Sequence, residues 1–347
     1  MMSSPEILEG LTTTPSAPKY HLYRWCDYVE LRCLTQKDKR FSRDNLQEAM
    51  GESKEVTVTT PSAEEVDEEE FEEEVIDETV EVDHADSTPE SNDADESYAS
   101  RYFKQLLWRS HLFGDAWPFL IDAQAQEIEI KSTLTQEHYL YLQLLLSASL
   151  AYCPKTRSKV FTSNFEKLSV EAMPRLMPPG SEIHAFGAGQ GSRYTGHLFD
   201  RLLKLTTDLH ARLHLSRADF GVTSAGDGGL DIVAWHDLGD DRDGKPIALA
   251  QCGCTGDGWP NKMLEASPAR LSKKLVTSHD WTTYYFMPLD LAWEQDGRRH
   301  WQRWLDIAEA IVIDRFRLIK LSDPAALDTK HILTRASIDE AKSFALT

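Results

Sequence analysis

The residues whose types and spacing best fit enzyme chemistry lie between positions 226 and 262, in the stretch GDGGLDIVAWHDLGDDRDGKPIALAQCGCTGDGWPNK. Two apolar runs, at 230–235 and 247–252, are typical of neighbouring β-strands joined by a polar turn. Asp231 lies in the first run and Gln251 lies near the end of the second. An acid and an amide at adjacent strand ends can bind one ligand, so this stretch is the candidate site.

The elements that must position these residues follow one another from residue 196 onward. The apolar spacing predicts a helix over 196–215, a short strand near 220–223 and then the two strands already described. A helix from 260 to 276 and a strand in TTYYFMPL come next, with Pro260 suited to a first helical turn. Towards the C-terminus we predict a helix that contains Trp293, Trp301 and Trp304, and a last strand in IVIDRFRLIKL.

This order, with its acid and amide, resembles the restriction-endonuclease-like core of the PD-(D/E)xK nuclease superfamily over about residues 190–320. In that family a helix with an acid precedes a strand with an aspartate, the next strand carries Glu or Gln, and a lysine completes the site. The resemblance implies an α/β fold of the mixed α+β kind, in which a mixed central sheet is flanked by helices. A helical N-terminal region would be added to that core.

Four residues correspond to this pattern in the way that the resemblance implies. Asp231, in GGLDIVAW, matches the metal-binding aspartate, and Gln251, in ALAQCGC, matches the second acidic position in its glutamine variant. Asp200, in TGHLFDRL, lies where many members have a glutamate on the first core helix. Asp227, in GDGG, is either a turn residue or an additional member of the site.

The sequence departs from the family at the lysine. Gly253 occupies the position two residues after Gln251, and Lys262 at the next helix start is the candidate replacement. The resemblance implies a cofactor, Mg²⁺ or Mn²⁺, bound by Asp231, Asp200 and Gln251, with Lys262 orienting the attacking water. Each residue also has an ordinary interpretation: a structural hydrogen bond for Asp231, a strand-end amide for Gln251 and a solvated lysine.

The implied activity is metal-dependent hydrolysis of phosphodiester bonds, with DNA as the expected substrate and bacterial antiviral defence as the expected setting. The alternative is a catalytically inactive nuclease-fold protein that binds DNA or assembles a complex, and the missing lysine favours it. Basic residues after the site could contact a phosphate backbone. They are Arg270, Lys273, Lys274, Arg298, Arg299, Arg303, Arg315, Arg317 and Lys320.

The charge of the chain is concentrated in one tract. The formal net charge is −20, and residues 51–96 hold 20 acidic residues and one lysine, which leaves −1 for the rest. The folded part is therefore compatible with a nucleic-acid partner. No apolar run approaches the roughly 18 residues of a membrane span, no signal peptide is evident, and five cysteines fit a reducing compartment, so we expect a cytoplasmic protein without membrane contact.

Composition divides the chain into five parts. We expect a disordered N-terminus over 1–18, a small helical segment over 19–50, an acidic disordered linker over 51–97, a helical region over 98–179 and the endonuclease-like α/β domain over 180–347. About thirty residues rarely form a core alone, so the second part must dock on the chain or on a protein partner. The acidic linker is either a spacer or an arm that mimics DNA and inhibits the site.

Overall fold

The computed structural model describes residues 8–15, 21–52, 89–187, 192–220, 228–256, 258–322, 338–339 and 342–343. Its main helices are α1 (Leu22–Thr35), α2 (Arg43–Glu52), α3 (Pro89–Phe113), α4 (Gln136–Ala148), α5 (Lys155–Ala172), α6 (Leu198–Leu209), α7 (Trp259–Met263), α8 (Pro268–Leu271) and α9 (Arg315–Leu321). Its strands are β1 (Arg40–Ser42), β2 (Phe119–Asp122), β3 (Glu127–Ile130), β4 (Glu182–Ala185), β5 (Arg212–Leu213), β6 (Ile232–Trp235), β7 (Ile247–Cys252), β8 (Leu275–Val276), β9 (Thr282–Phe286), β10 (Ala292–Gln295), β11 (Arg298–Trp301) and β12 (Ile311–Ile313).

A five-stranded mixed sheet forms the centre of the C-terminal half, in the order β12-β9-β7-β6-β4. The strands β7, β9 and β12 run parallel to one another, whereas β6 is antiparallel to both β7 and β4. All residues of β6 and β7 are buried, as expected for inner strands covered on both faces. The predicted mixed α/β architecture, with a central sheet flanked by helices, is confirmed at this level.

The two faces of the sheet pack against different helices because strand residues alternate in direction. On one face, Ile232 and Ala250 join the large apolar cluster that contains α1, α3, α4 and α5. On the other face, Val233 and Leu249 pack against the apolar side of α6, which includes Leu205. The candidate residues at the end of β7 therefore lie between the N-terminal half and the helices that follow β7.

The N-terminal half contains strands that the sequence pattern did not indicate. In the region predicted to be helical, β2 and β3 form a hairpin, and β1 pairs with β3 to complete a three-stranded antiparallel sheet. Alternation of buried and exposed positions along EIEI explains β3, with Ile128 and Ile130 facing the core. The predicted helices correspond to α3, α4 and α5.

Residues 8–15 and 21–52 pack onto the rest of this chain. A short 3-10 helix spans Glu9–Thr12, and Leu8 before it and Leu11 within it are fully buried in the large apolar cluster, although the sequence predicted disorder here. The acidic residues 53–88 lie outside the described residues. Helix α3 begins at Pro89, inside the range predicted as linker.

A fully buried ion cluster joins the two halves of the chain. Arg109 on α3 donates hydrogen bonds to Asp27 on α1 and to Asp290 after β9, both at 2.8 Å. Arg315 at the start of α9 donates to the other oxygen of Asp27 at 2.7 Å, and Arg109 also reaches Glu30 at 3.2 Å. Burial raises the pKa of Asp290 above its ordinary value. The cluster therefore ties α1, α3 and α9 to the sheet.

Two predicted elements near the C-terminus were wrong. The expected helix with Trp293 and Trp301 is instead the hairpin of β10 and β11, whose two-residue turn, Asp296 and Gly297, has positive φ at both positions. An Asp-Gly pair favours this turn type, which matches the twist of the strands. The expected last strand ends at Ile313, where Asp314 caps α9 by accepting a hydrogen bond from the backbone N–H of Arg317 at 3.0 Å.

The chain after β7 is also more broken than expected. The helix predicted over 260–276 is divided into α7 and α8 and ends in the short strand β8, with Pro268 in the first turn of α8. Helix α6 covers a shorter range than predicted because His210 ends it in the left-handed conformation. No helix in the described part of the chain is long and apolar enough to cross a bilayer.

Candidate active site

Asp231 lies immediately before β6, at the edge of the sheet where β7 ends. The first residue of β6, Ile232, pairs with Ala250 of β7. The Oδ2 atom of Asp231 accepts a hydrogen bond of 2.7 Å from the backbone N–H of Cys252. One carboxylate oxygen is thereby fixed beside the residue that follows Gln251, which is the structural hydrogen bond of the ordinary interpretation.

Gln251 is a buried polar residue on β7, with only 2% of its surface exposed. Its buried Oε1 atom has no hydrogen-bond partner among the described residues. A buried amide oxygen without a partner is unfavourable, so native proteins rarely keep one unless a water or ligand satisfies it. Gln251 also lines a cavity of about 640 Å³, called here the lysine cavity.

Three of the four charged residues that line the lysine cavity are cationic. Lys262 on α7, Arg270 on α8 and Lys274 lie around it together with one acid, Glu265. In the described part of the chain, none of the three cations makes an ion pair with a carboxylate. The cavity therefore combines an amide oxygen and three positive charges, which suits an anionic ligand such as a phosphate.

A glycine pair forms another wall of the lysine cavity. Gly228 and Gly229 have φ values of +70° and +82°, which L side chains rarely adopt. A Cβ atom on Gly229 would come within 2.7 Å of the Cβ atom of Glu265. The loop before Asp231 can approach the helical side of the cavity so closely because both residues are glycines.

Gly253 cannot carry the lysine of the family pattern. A Cβ atom at this position would overlap the hydroxyl of Tyr285 on β9, with the ring atom Cζ at 2.9 Å. Tyr285 is fully buried and packs with Trp259 and Met263 of α7, so its ring has little room to move. A side chain at 253 is therefore excluded by the packing of β7 against β9, and the lysines that line the lysine cavity are Lys262 and Lys274.

Glu166 on α5 is a candidate that the sequence interpretation missed. It is exposed, and it lines a cavity of about 370 Å³ together with Asp231, Ser163, His184 and other residues. We call this space the aspartate cavity. Helix α5 directly precedes β4, so it is the helix before the first strand of the central sheet. The only signal in the sequence was this order, because charged residues on the exposed face of a helix are common.

Asp200 lies apart from these residues. It is on the first turn of α6, where its Oδ1 atom accepts a 2.8 Å hydrogen bond from Arg217, and its side chain is 44% exposed. It does not line the lysine cavity or the aspartate cavity. Asp227 lies outside the described residues. Of the predicted residues, Gln251 and Lys262 thus line one cavity, Asp231 lines another together with the unpredicted Glu166, and Asp200 lines neither.

A third cavity, of about 630 Å³, meets the other two. We call it the N-terminal cavity because Thr13, Pro15 and Arg24 line it together with Cys254 and its neighbours after β7. It shares Lys262 and Thr255 with the lysine cavity, and it shares Glu166 with the aspartate cavity. The three cavities therefore surround the end of β7.

The nearby cysteines are neutral thiols. All five cysteines of the chain are free. Burial, reinforced by the charge of Asp231, raises the pKa of Cys252 well above its ordinary value, and burial likewise raises the pKa of Cys254. Because the thiolate is the reactive and metal-binding form, neither residue is suited to act as a nucleophile or as a zinc ligand.

The donor set suits a hard cation better than a transition metal. Among the described residues, no group of three or more His, Cys, Asp or Glu side chains could hold a metal ion. Mg²⁺ needs fewer protein ligands, since one or two carboxylates suffice when waters and substrate phosphates complete its coordination. Asp231 and Glu166, which line one cavity, form such a sparse set.

Basic residues predicted to face a phosphate backbone have different environments. Arg270 and Lys274 line the lysine cavity. Arg315 is fully buried in the ion cluster, and Arg317 donates a hydrogen bond to the backbone oxygen of Val312 at 2.6 Å. Arg315 is therefore unavailable to a nucleic acid, because its charge is satisfied by Asp27.

Comparisons of the chain with protein-family models, with curated proteins and with solved structures found no match.

Proposed function

We propose that this protein is a metal-dependent endonuclease that hydrolyses phosphodiester bonds in DNA. The observation that carries the proposal is that Gln251, whose buried amide oxygen has no partner among the described residues, lines a cavity together with Lys262, Arg270 and Lys274. These cations are suited to a phosphate, and two carboxylates line the aspartate cavity, which shares Glu166 with the N-terminal cavity. An effector role in bacterial antiviral defence, with a protein partner, is part of the same proposal and rests on the resemblance alone.

Each residue has a defined role in the proposed reaction. Asp231 and Glu166 would hold Mg²⁺, which when bound would lower the pKa of a coordinated water and polarise the phosphate. The ammonium group of Lys262 orients the attacking water and stabilises the negative charge that develops on the phosphate oxygens. The amide of Gln251 positions the phosphate within the cavity. Arg270 and Lys274 bind neighbouring phosphates of the strand.

The order of elements supports the nuclease-like core as part of this proposal. Helix α5 with Glu166 is followed by β4, by β6 with Asp231 at its start, by β7 with Gln251, by α7 with Lys262 and by β9. Helix α6 is then an insertion between β4 and β6. This alignment differs from the sequence interpretation, which took α6 as the first core helix and therefore chose Asp200.

The alternative function is a catalytically inactive nuclease-fold protein that binds DNA or assembles a complex. The observation that favours it is the absence, among the described residues, of three or more side chains that could hold a metal. Such a protein would use the cations of the lysine cavity for binding alone.

Cleavage assays distinguish the two functions. Plasmid DNA and a single-stranded oligonucleotide are incubated with the full-length protein and Mg²⁺ or Mn²⁺, beside the variants Asp231→Ala and Lys262→Ala. We expect each variant to lose cleavage by about a hundredfold or more, because both groups stabilise the transition state. Lys104→Ala is the matched control, since Lys104 is an exposed lysine on α3 that lines none of the three cavities.

Three outcomes are informative. Cleavage that both variants lose and the control keeps supports the nuclease and places Lys262 in the site. Cleavage that is lost only in Asp231→Ala supports the catalytic role of Asp231 and contradicts the role proposed for Lys262. Wild-type protein that binds DNA and cleaves none, with either metal and with added cell lysate, would reject the nuclease in favour of the binding protein.

A further inference from the structure

We infer that the N-terminal cavity binds one unpaired nucleotide beside the scissile phosphate, so that the substrate is single-stranded DNA. This inference rests on the proposed function and specifies its substrate. The cavity is distinct from the lysine cavity that holds the phosphate, and the N-terminal half of the chain supplies most of its walls.

The size of the cavity suits a single nucleotide. Its volume of about 630 Å³ lies within the range of pockets that take small organic ligands. The segment around Thr13 lines part of this cavity, and in it Gly10 packs closely against the backbone of Tyr152. Leu8 and Leu11, both fully buried, anchor this segment. The wall is therefore held in place by core contacts.

The lining of the cavity combines the groups that bind a nucleobase. Tyr152, which is partly buried, supplies aromatic surface, and base stacking on aromatic side chains is a major source of affinity for single strands. The hydroxyl of Thr162 and the guanidinium of Arg24 supply polar groups around it. Because stacking is possible for every base, this lining predicts binding of unpaired nucleotides without strong sequence preference.

The position of the cavity connects the base to the proposed chemistry. Lys262 and Thr255 line both this cavity and the lysine cavity, and Glu166 lines both this cavity and the aspartate cavity. A nucleotide in the N-terminal cavity therefore places its own phosphate next to the residues of the site. A base in a duplex is paired and stacked and would first have to leave the helix to occupy this cavity, whereas an unpaired base can enter directly.

Binding measurements without divalent metal test the inference separately from catalysis. Fluorescence anisotropy of the full-length protein with a labelled single-stranded deoxyoligonucleotide, and with the matching duplex, measures the preference. We expect single-stranded DNA to bind at least about tenfold more tightly than duplex, since only the unpaired strand gains the base contact. Failure of cleavage would sink the nuclease proposal and leave this binding result intact.

Two matched pairs of variants locate the binding to the cavity. Thr162→Trp fills the cavity from α5, and its control Thr156→Trp introduces the same side chain at an exposed position of the same helix, outside the cavity. Thr13→Glu places a carboxylate at the mouth, and its control Thr12→Glu changes an exposed neighbour that does not line the cavity. Because the side chains of Thr12 and Thr13 are both exposed, we expect neither Thr13→Glu nor Thr12→Glu to disturb folding.

We expect Thr162→Trp and Thr13→Glu each to weaken single-strand binding by about tenfold relative to their controls, with duplex binding unchanged. Wild-type protein that binds duplex as tightly as single strand overturns the inference. Cavity variants that bind single-stranded DNA as tightly as their controls overturn it as well.

Discussion

Gln251 is deeply buried, and its amide oxygen has no hydrogen-bond partner among the residues that the structure describes. A buried amide in this state costs about 1–3 kcal/mol relative to one with its hydrogen bonds made, and an apolar side chain of similar shape would avoid that cost. The residue thus acts against stability at its own position unless a ligand or water occupies the lysine cavity. Active sites often carry such a cost, because groups arranged for a substrate are not satisfied in its absence.

The change Gln251→Met tests this trade-off. Methionine has a similar length and no amide, so we expect the free energy of unfolding to stay equal or to rise by up to about 1 kcal/mol, while cleavage falls by at least about tenfold. Urea unfolding and plasmid cleavage measure the two effects. The control is Gln143→Met on α4, at another buried glutamine, which does not line the lysine cavity and whose change should leave cleavage unaffected. A large loss of stability in Gln251→Met would instead assign the amide a structural role.

Glu166 on α5 and Asp200 on α6 are alternative candidates for the second carboxylate of the proposed metal site. Glu166 shares the aspartate cavity with Asp231, whereas Asp200 is paired with Arg217 at the surface. We expect Glu166→Gln to reduce Mg²⁺-dependent cleavage by at least about tenfold and to raise the Mg²⁺ concentration needed for half-maximal rate. We expect Asp200→Asn to change neither by more than about twofold, because an exposed ion pair contributes little. The reverse pattern would restore α6 as the helix of the site.

The candidate residues divide into those that a sequence can reveal and those that need the fold. Asp231 and Gln251 could be predicted because each interrupts an apolar strand, where a polar residue is costly and therefore informative. Lys262 followed from its place at the next helix start. Glu166 could not be found in this way, since an exposed acid on an amphipathic helix is ordinary. Only the packing of α5 beside β4 and β6 brings it near Asp231.

At the scale of elements, the predictions succeeded where burial on both faces dictates the pattern. The bounds predicted for β7 are those observed, and β9 was predicted as a strand, because fully buried strands are near-continuous apolar runs. The hairpin of β10 and β11 was wrongly predicted as a helix. Its residues AWEQDGRRHW contain tryptophans at a spacing that imitates a helix, and the turn at Asp296 and Gly297 was the stronger signal.

Helix α9 begins at a buried acid with an unusual charge state. Burial raises the pKa of Asp314 to about 7, although the hydrogen bond from the backbone N–H of Arg317 opposes this shift. The Oδ2 atom of Asp314 has no hydrogen-bond partner in the part of the chain that the structure describes. The protonated carboxyl is therefore favoured in the folded protein at pH values at which the unfolded chain carries a charged aspartate.

This shift predicts a dependence of stability on pH. Since the folded pKa of Asp314 lies above the ordinary value of 3.8, its contribution to stability is full below pH 3.8 and is lost as the pH rises towards about 7. Asp314→Asn can still cap α9 and does not ionise. Between pH 5 and 7, wild-type protein should therefore lose stability relative to Asp314→Asn, by an amount on the order of 1–3 kcal/mol. Urea unfolding at several pH values measures this difference, and a constant difference would contradict the assigned ionisation.

At the scale of the whole molecule, the N-terminal half is an integral part of the fold. Helices α1 to α5 and strands β1 to β3 contribute to the same apolar cluster as one face of the central sheet, and the ion cluster around Arg109 joins α1 and α3 to Asp290 and α9. The sequence divided the chain at about residue 180 because composition changes there. Composition reports local preference and contains no information about which elements share a core. The N-terminal cavity depends on this shared core, because residues from both halves of the chain line it.

The ion cluster allows a test of whether the two halves of the chain stabilise each other. Arg109 is fully buried and pairs with Asp27, Glu30 and Asp290, so Arg109→Met would leave buried carboxylates with only Arg315 to compensate them. We expect this change to lower the free energy of unfolding by about 3–5 kcal/mol, the usual cost of removing one partner of a buried pair. Arg40 provides the control, because its ion pairs with Glu127 and Glu129 are exposed, and Arg40→Met should cost no more than about 1 kcal/mol.

The mode of unfolding distinguishes one folding unit from two. Because the cluster and the shared core connect both halves, tryptophan fluorescence and far-UV circular dichroism should report one coincident transition in urea for wild-type protein and for Arg109→Met. Trp25 and Trp117 report on the N-terminal half, whereas Trp235 and Trp281 report on the sheet and the elements that pack against it. Two separated transitions in the wild type would mean that the halves fold independently. The cluster would then be a contact between domains, and its loss in Arg109→Met should lower the stability of the N-terminal transition first.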